Sequence, residues 1–94
     1  MQLNWDERKD RLNRKKHRVS FETAALVFDD PDQLSRLDRE VEGELRWQTL
    51  GIVPGMQVLL VAHTVEQEGD EEIIRIISAR KATPRERSIY AKGK

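Results

Sequence analysis

Arg75, Arg80 and Lys81 stand in the run Ile73-Ile74-Arg75-Ile76-Ile77-Ser78-Ala79-Arg80-Lys81-Ala82-Thr83, an apolar strand that ends among cationic side chains. β-Branched residues satisfy strand propensity without any arginine. A surface that holds phosphodiester oxygens does need it, because a guanidinium presents a planar fork of donors that matches two anionic oxygens. Arg46 adds a cation on the neighbouring strand. His63, at the far end of an apolar run, is the side chain of the central strands whose ordinary pKa lies near neutrality, which suits it to give or take a proton. His17 lies among Lys15, Lys16 and Arg18, whose like charge favours the neutral ring that a base requires, although a histidine there also suits a helix end. The chain has no cysteine and two histidines far apart, so neither a thiolate zinc site nor a dedicated metal centre is expected.

These side chains need elements to place them. Leu3 to Trp5 reads as a short strand, and Asp6 caps a helix to about Lys16 in which Leu12 is the large apolar residue, predicting one narrow contact stripe. Glu7 with Arg11 and Asp10 with Arg14 are four-residue charge pairs on it. Ser20 caps a second helix whose residues Phe21, Ala24, Ala25 and Phe28 form a core-facing stripe, ending near Asp29-Asp30-Pro31. The polar stretch to Glu44 reads as loop with a short strand around Leu34 to Leu37. Three strands follow, Leu45 to Ile52, Met56 to Val65 and Glu72 to Arg80, separated by Pro54-Gly55 and Glu68-Gly69-Asp70. The middle one is apolar on both parities through Val58 to Val61 and is expected to be central. Thr83, Pro84 and Glu86 occupy the cap, first and third positions of a last helix to about Ala91. The pattern is α+β, two N-terminal helices on a small antiparallel sheet with a short C-terminal helix.

At 94 residues, with 37% apolar and 36% charged residues, the chain is expected to form a single domain over residues 1–94 with one modest core that takes in Trp5, Trp47, Phe21 and Phe28. No apolar run reaches the length of a membrane span, and the chain opens directly into Trp5-Asp6-Glu7, so the reading predicts a cytoplasmic protein, neither exported nor embedded. Its zero net charge hides a segregation. Residues 1 to 20 carry seven Lys/Arg against three Asp/Glu, residues 73 to 94 seven against one, and residues 21 to 72 only three against thirteen. If the cationic ends meet they make a face for a polyanion, with an acidic face elsewhere that limits non-specific binding or meets a basic partner; the alternative is solvated helix faces with scattered charge.

Trp5-Asp6, Lys9, Asn13, Lys16-His17, Val19 to Glu22, Ala24, Phe28 to Pro31, the Arg46 to Gly51 strand, His63-Thr64 and the Arg75 to Thr83 run together resemble the BrnT family, in order along nearly the whole chain. Two features depart from its pattern: Arg18 stands where the family usually has glycine, and the acidic stretch Glu66 to Glu72 is long for its hairpin. The resemblance implies a RelE-like fold and a ribonuclease toxin of a type II toxin–antitoxin module. It further implies metal-independent RNA cleavage without a cofactor, restraint by a BrnA-type antitoxin, and contact with operator DNA only through that antitoxin.

Such cleavage needs a base for the 2′-hydroxyl, cations for the charge that builds on phosphorus and an acid for the leaving 5′-oxygen. Arg80 and Arg75 rank first as phosphate holders and Arg46 next, with His63 as acid or base. On an ideal strand Arg75 and Lys81 share one parity and Arg80 the other, so one site can use them together only if a bulge re-aims the chain. Lys81, Lys9, Lys16, His17 and Tyr90 are candidate RNA contacts; Lys9, Asn13 and Lys16 form one helical stripe suited to RNA or antitoxin, while Tyr90 also reads as packing. Glu86 can act as a base, but its cap position accounts for it. A catalytically inactive module that pairs with an antitoxin, and a toxin of the same fold that poisons a topoisomerase, are the alternatives.

Overall fold

The computed structural model describes residues 1–93, which build nine elements in the order β1 (Gln2–Trp5), α1 (Glu7–His17), α2 (Phe21–Ala25), a 3₁₀ turn (Leu26–Asp29), β2 (Leu34–Val41), β3 (Glu44–Ile52), β4 (Val58–Glu68), β5 (Glu71–Lys81) and α3 (Pro84–Lys92). The strands form one sheet in the order β1-β5-β4-β3-β2. β4 is the central strand, as its two-sided apolar pattern requires. The sheet is mixed rather than antiparallel, because β1 runs parallel to β5 and lies at its edge from Ile73 to Ile76. The polar stretch expected to be mostly loop is instead a full edge strand, β2. Most of its side chains face solvent, so it lacks the apolar alternation that marks a half-buried strand. Glu42 and Gly43, at φ 50° and 83°, make the tight turn into β3. The acidic stretch after Val65 likewise extends β4 and β5, with Gly69 at φ 60° turning between them.

One face of the sheet carries α1, α2 and the 3₁₀ turn. Val19, Phe21, Ala24, Val27 and Phe28 pack there against Leu59, Val61, Ile74, Ile76 and Ala79, with Leu3 and Trp5 beside them. Trp5 meets Phe21 edge-on at 6.3 Å. The other face is covered only in part, by α3, where Leu50, Val58, Leu60, Ala82 and Tyr90 make a smaller cluster. Trp47, expected in the core, is half-buried and outside both clusters.

α1 is held differently from its expected leucine stripe. Leu12 is 62% exposed, and the buried residues of the helix are Asp10 and Asn13. Asp10 Oδ1 accepts the Phe21 amide at 2.8 Å, which ties α1 to the start of α2. Asn13 Nδ2 donates to Val19 O and Ala79 O, at 2.8 and 2.9 Å, and Oδ1 accepts the Ala79 amide at 3.1 Å. β1 ends opposite Ile76, so Ala79 has no strand on that side, and a primary amide reproduces the donor and acceptor that a neighbouring strand would have supplied. Asn13 therefore acts as a strand surrogate for the edge of β5.

At the end of α1, Arg18 takes the left-handed conformation, φ 61° and ψ 26°, and its amide bonds Arg14 O at 2.9 Å. A side chain is strained there and glycine is not. Arg18→Gly is expected to raise stability by roughly 0.5–1 kcal/mol, read as an increase in the denaturation midpoint at unchanged slope.

Candidate RNA-binding surface

Antiparallel pairing of β4 with β5 slips by one residue between the pairs Ala62–Ser78 and His63–Ile76, leaving Ile77 as an extra residue in β5. The bulge inverts parity along the strand. Before it Ile74 and Ile76 point to the core and Arg75 away; after it Ala79 points to the core, so Ser78 and Arg80 point away, as Arg75 does. Arg75 and Arg80 thus share the sheet face that α3 leaves open, while Lys81, exposed at the end of β5, takes the opposite parity. The condition set by the spacing is met for the two arginines and not for the lysine.

Arg46 joins them from β3. A cavity of about 390 Å³ on this open face is lined by Arg39, Arg46, Gln48, Ala62, Ser78 and Arg80, among others. Glu44 Oε1 accepts from Arg75 at 2.8 Å and faces an Arg46 nitrogen at 3.3 Å, so one carboxylate bridges two of the cations. Arg46 Nε is buried without a partner among the described residues. Arg80 is gripped from α3, with Nη1 to Glu86 Oε1 at 2.8 Å and Nη2 to Oε2 at 3.0 Å. This bidentate contact raises the pKa of Arg80 and, with the helix-cap amides, brings Glu86 down to about 2. Glu86 also accepts the Thr83 amide at 2.9 Å while Thr83 Oγ1 accepts the Glu86 amide, so the helix cap and the arginine clamp are one construction. The expected cap is present, and Glu86 is a positioning group that the sequence alone did not disclose.

Ile77 and Ser78 also line a second hollow of about 200 Å³ together with Lys9, Leu12, Asn13, Lys16 and His17. Past the end of β1 the β5 edge is open on this side, and the bulge residues join the cationic face of α1 to the arginine face. Lys9 and Lys16 are exposed and His17 is half-buried.

His63 and Tyr90 lie elsewhere. His63 is 2% exposed on the helix face, edge-on to Phe28 at 5.0 Å. Its Nδ1 lies 3.2 Å from Thr64 O, a carbonyl that can only accept, so the proton sits on Nδ1 and Nε2 accepts from Thr49 Oγ1 at 2.7 Å. Burial holds its pKa below the ordinary histidine value. An unfolded histidine protonates near pH 6.5 whereas this one resists, so the unfolded state binds more protons and stability falls as pH drops below about 6.5. The acid limb of a melting-temperature profile is expected to flatten in His63→Gln. Tyr90 is 3% exposed and donates its hydroxyl to Asp30 Oδ2, which also accepts the Ile52 amide at 2.8 Å. Burial, then the Asp30 carboxylate, pushes the phenol up to about 12. Tyr90 anchors α3 and is not presented to RNA, because its ring fills the smaller core cluster.

Among the described residues no group of three or more His, Cys, Asp or Glu is placed to hold a metal ion, and no helix is long and apolar enough to cross a membrane. No curated protein matches the chain. The crystal structure of the Brucella abortus ribonuclease toxin BrnT is similar in fold, with a TM-score of 0.60 at 22% identity, covering 88% of this chain and 97% of that one. The family described as the ribonuclease toxin BrnT of type II toxin–antitoxin systems matches residues 5–86, from the last residue of β1 to the Glu86 clamp. The chain belongs to the BrnT family of ribonuclease toxins of type II toxin–antitoxin systems.

Proposed function

We propose that the protein is a metal-independent endoribonuclease whose active surface is the open sheet face holding Arg80, Arg46 and Arg75. The observation that carries this is the β5 bulge, which brings Arg80 to the same face as Arg75, where Arg80 shares a cavity with Arg46 and Glu44 links Arg46 to Arg75. In the reaction the 2′-oxygen forms a bond to phosphorus as the bond to the 5′-oxygen breaks. The 2′-proton leaves to a base, and an acid supplies one to the departing oxygen. Arginines offset the charge that grows on the phosphoryl oxygens, and they are oriented for it before the reaction begins because Glu86 and Glu44 already hold them in place. Glu44, between two arginines, Asp38, in the lining of the same cavity, and His17, in the hollow that shares Ile77 and Ser78 with it, are candidates on this surface for the base and the acid. His63, enclosed on the other face, is assigned to structure. Lys9 and Lys16 extend the cationic path along which the RNA backbone lies.

The fold belongs to the RelE-like group on this reading, and the neutralising partner is a BrnA-type antitoxin through which the toxin meets operator DNA. Incubating the purified protein with RNA in excess EDTA tests the enzymatic proposal. Cleavage that persists in EDTA is the expected result. Loss of cleavage that returns with added divalent metal overturns metal independence, and intact RNA under both conditions favours an inactive module that only pairs with its antitoxin.

A further inference from the structure

The two long hairpins reach past the helices, and their far ends carry an uncovered apolar strip on the helix face. Trp47 pairs laterally with Leu37 on one side and His63 on the other. Leu45 and Val65 lie two residues further out along the same face. Leu37 is 51%, Leu45 45% and Val65 38% exposed, unusually open for large apolar side chains neighbouring one another across three strands. Inward, the strip leads into a hollow of about 400 Å³ lined by Phe28, Trp47, His63, Val65, Glu72 and Ile74, among others, where the 3₁₀ turn stops covering the sheet.

The rim of this strip is acidic. Glu40 pairs with Leu45, Glu72 lines the hollow, and Glu42, Glu68 and Asp70 occupy the hairpin ends, in the segment where residues 21 to 72 carry thirteen acidic against three basic residues. Arg39, Arg46 and Arg75 point to the opposite face or pair with Glu44, so they do not neutralise it. An acidic rim around an apolar strip repels RNA and favours an amphipathic segment with lysine or arginine beside its apolar residues.

We propose that this strip is the docking surface for the antitoxin of the module, which presents an apolar segment flanked by basic residues. The inference rests on the family's having an antitoxin partner and not on which residues cleave RNA. It places the antitoxin anchor on the face opposite the arginines, so that capture and catalysis are separable by mutation.

The test is titration of the cognate antitoxin, purified free of its toxin, into the parent protein, Leu37→Lys/Leu45→Lys and Arg46→Ala/Arg80→Ala, with RNA cleavage measured on each. Both leucines are exposed, so the lysine variant is expected to fold, which circular dichroism checks. Its antitoxin affinity is expected to fall by about a hundredfold or more at unchanged RNA cleavage. Glu40→Lys/Glu72→Lys is expected to weaken binding and reduce its salt dependence. Affinity of the leucine variant within threefold of the parent overturns the proposal, as does binding lost only with the arginine variant. A dimer of the antitoxin-free parent that Leu37→Lys/Leu45→Lys dissolves gives the strip to a second copy of the chain and overturns it too. If RNA remains intact with every protein while the leucine variant loses the antitoxin, the docking surface stands and the ribonuclease proposal fails.

Discussion

Arg80→Ala is expected to lower RNA cleavage by roughly 10²–10³-fold, the loss typical of removing one preorganised donor to a developing anion. The guanidinium is held at both terminal nitrogens by Glu86, and Glu86 is itself fixed by the helix cap, so on the proposed reading the arginine, already oriented, would meet a phosphate. Stability is expected to change by less than about 1 kcal/mol, because the Arg80 side chain is 37% exposed and the cap survives without it. Single-turnover cleavage beside a thermal melt separates the two effects. Activity within threefold of the parent would remove Arg80 from the active surface. Arg80→Lys is expected to recover only part of the rate, since an ammonium keeps the charge but cannot make the fork that Glu86 and a phosphate both use. Glu86→Gln tests the clamp from the other side. It is expected to lower the rate in the parent but to add little to Arg80→Ala, whereas a purely structural Glu86 would act equally in both backgrounds.

Asn13→Ala is expected to destabilise the protein by about 3 kcal/mol, one of the largest losses available to a polar substitution here. It removes three hydrogen bonds and leaves the buried amide and carbonyl of Ala79 without the surrogate strand that satisfies them. For a domain of this size the melting temperature falls by roughly 10–20 °C, a shift differential scanning calorimetry resolves readily. Asn13→Asp discriminates this account from simple packing: an aspartate accepts the Ala79 amide but sets a second acceptor against two carbonyls, so it is expected to rescue little. A loss below about 1 kcal/mol in Asn13→Ala would mean that water replaces the amide. Ala79 lies between Ser78 and Arg80, and a frayed edge would also let the bulge relax, so cleavage at a temperature where the variant is folded is expected to decline as well.

Much of the architecture was legible in local signals. Asp6, Ser20 and Thr83 cap the helices they were expected to cap, Pro31 follows the end of the 3₁₀ turn, and β4 is central because it is apolar on both parities. Each of these depends on a residue and its near neighbours. β2 is not legible in the sequence because an edge strand with exposed side chains has no alternation to show, nor is the anchoring of α1, because its anchors, Asp10 and Asn13, are polar. A polar residue announces a buried role only when the backbone groups it satisfies are known.

The candidate site divides along the same line. Composition and spacing by themselves determined that the chain carries cations at both ends, an acidic middle, and arginines on an apolar strand. Whether those arginines share a face was decided in three dimensions, by one extra residue, Ile77, whose bulge exchanges the faces of everything after it. The same pairing sent His63 to the core, because pleating assigns a side chain to a face only once its register with its neighbours is set. Residue types determine what chemistry is available to this protein, and they are read one position at a time. Strand register and the bulge decide which of those groups meet, and they arise from pairings between segments far apart along the chain.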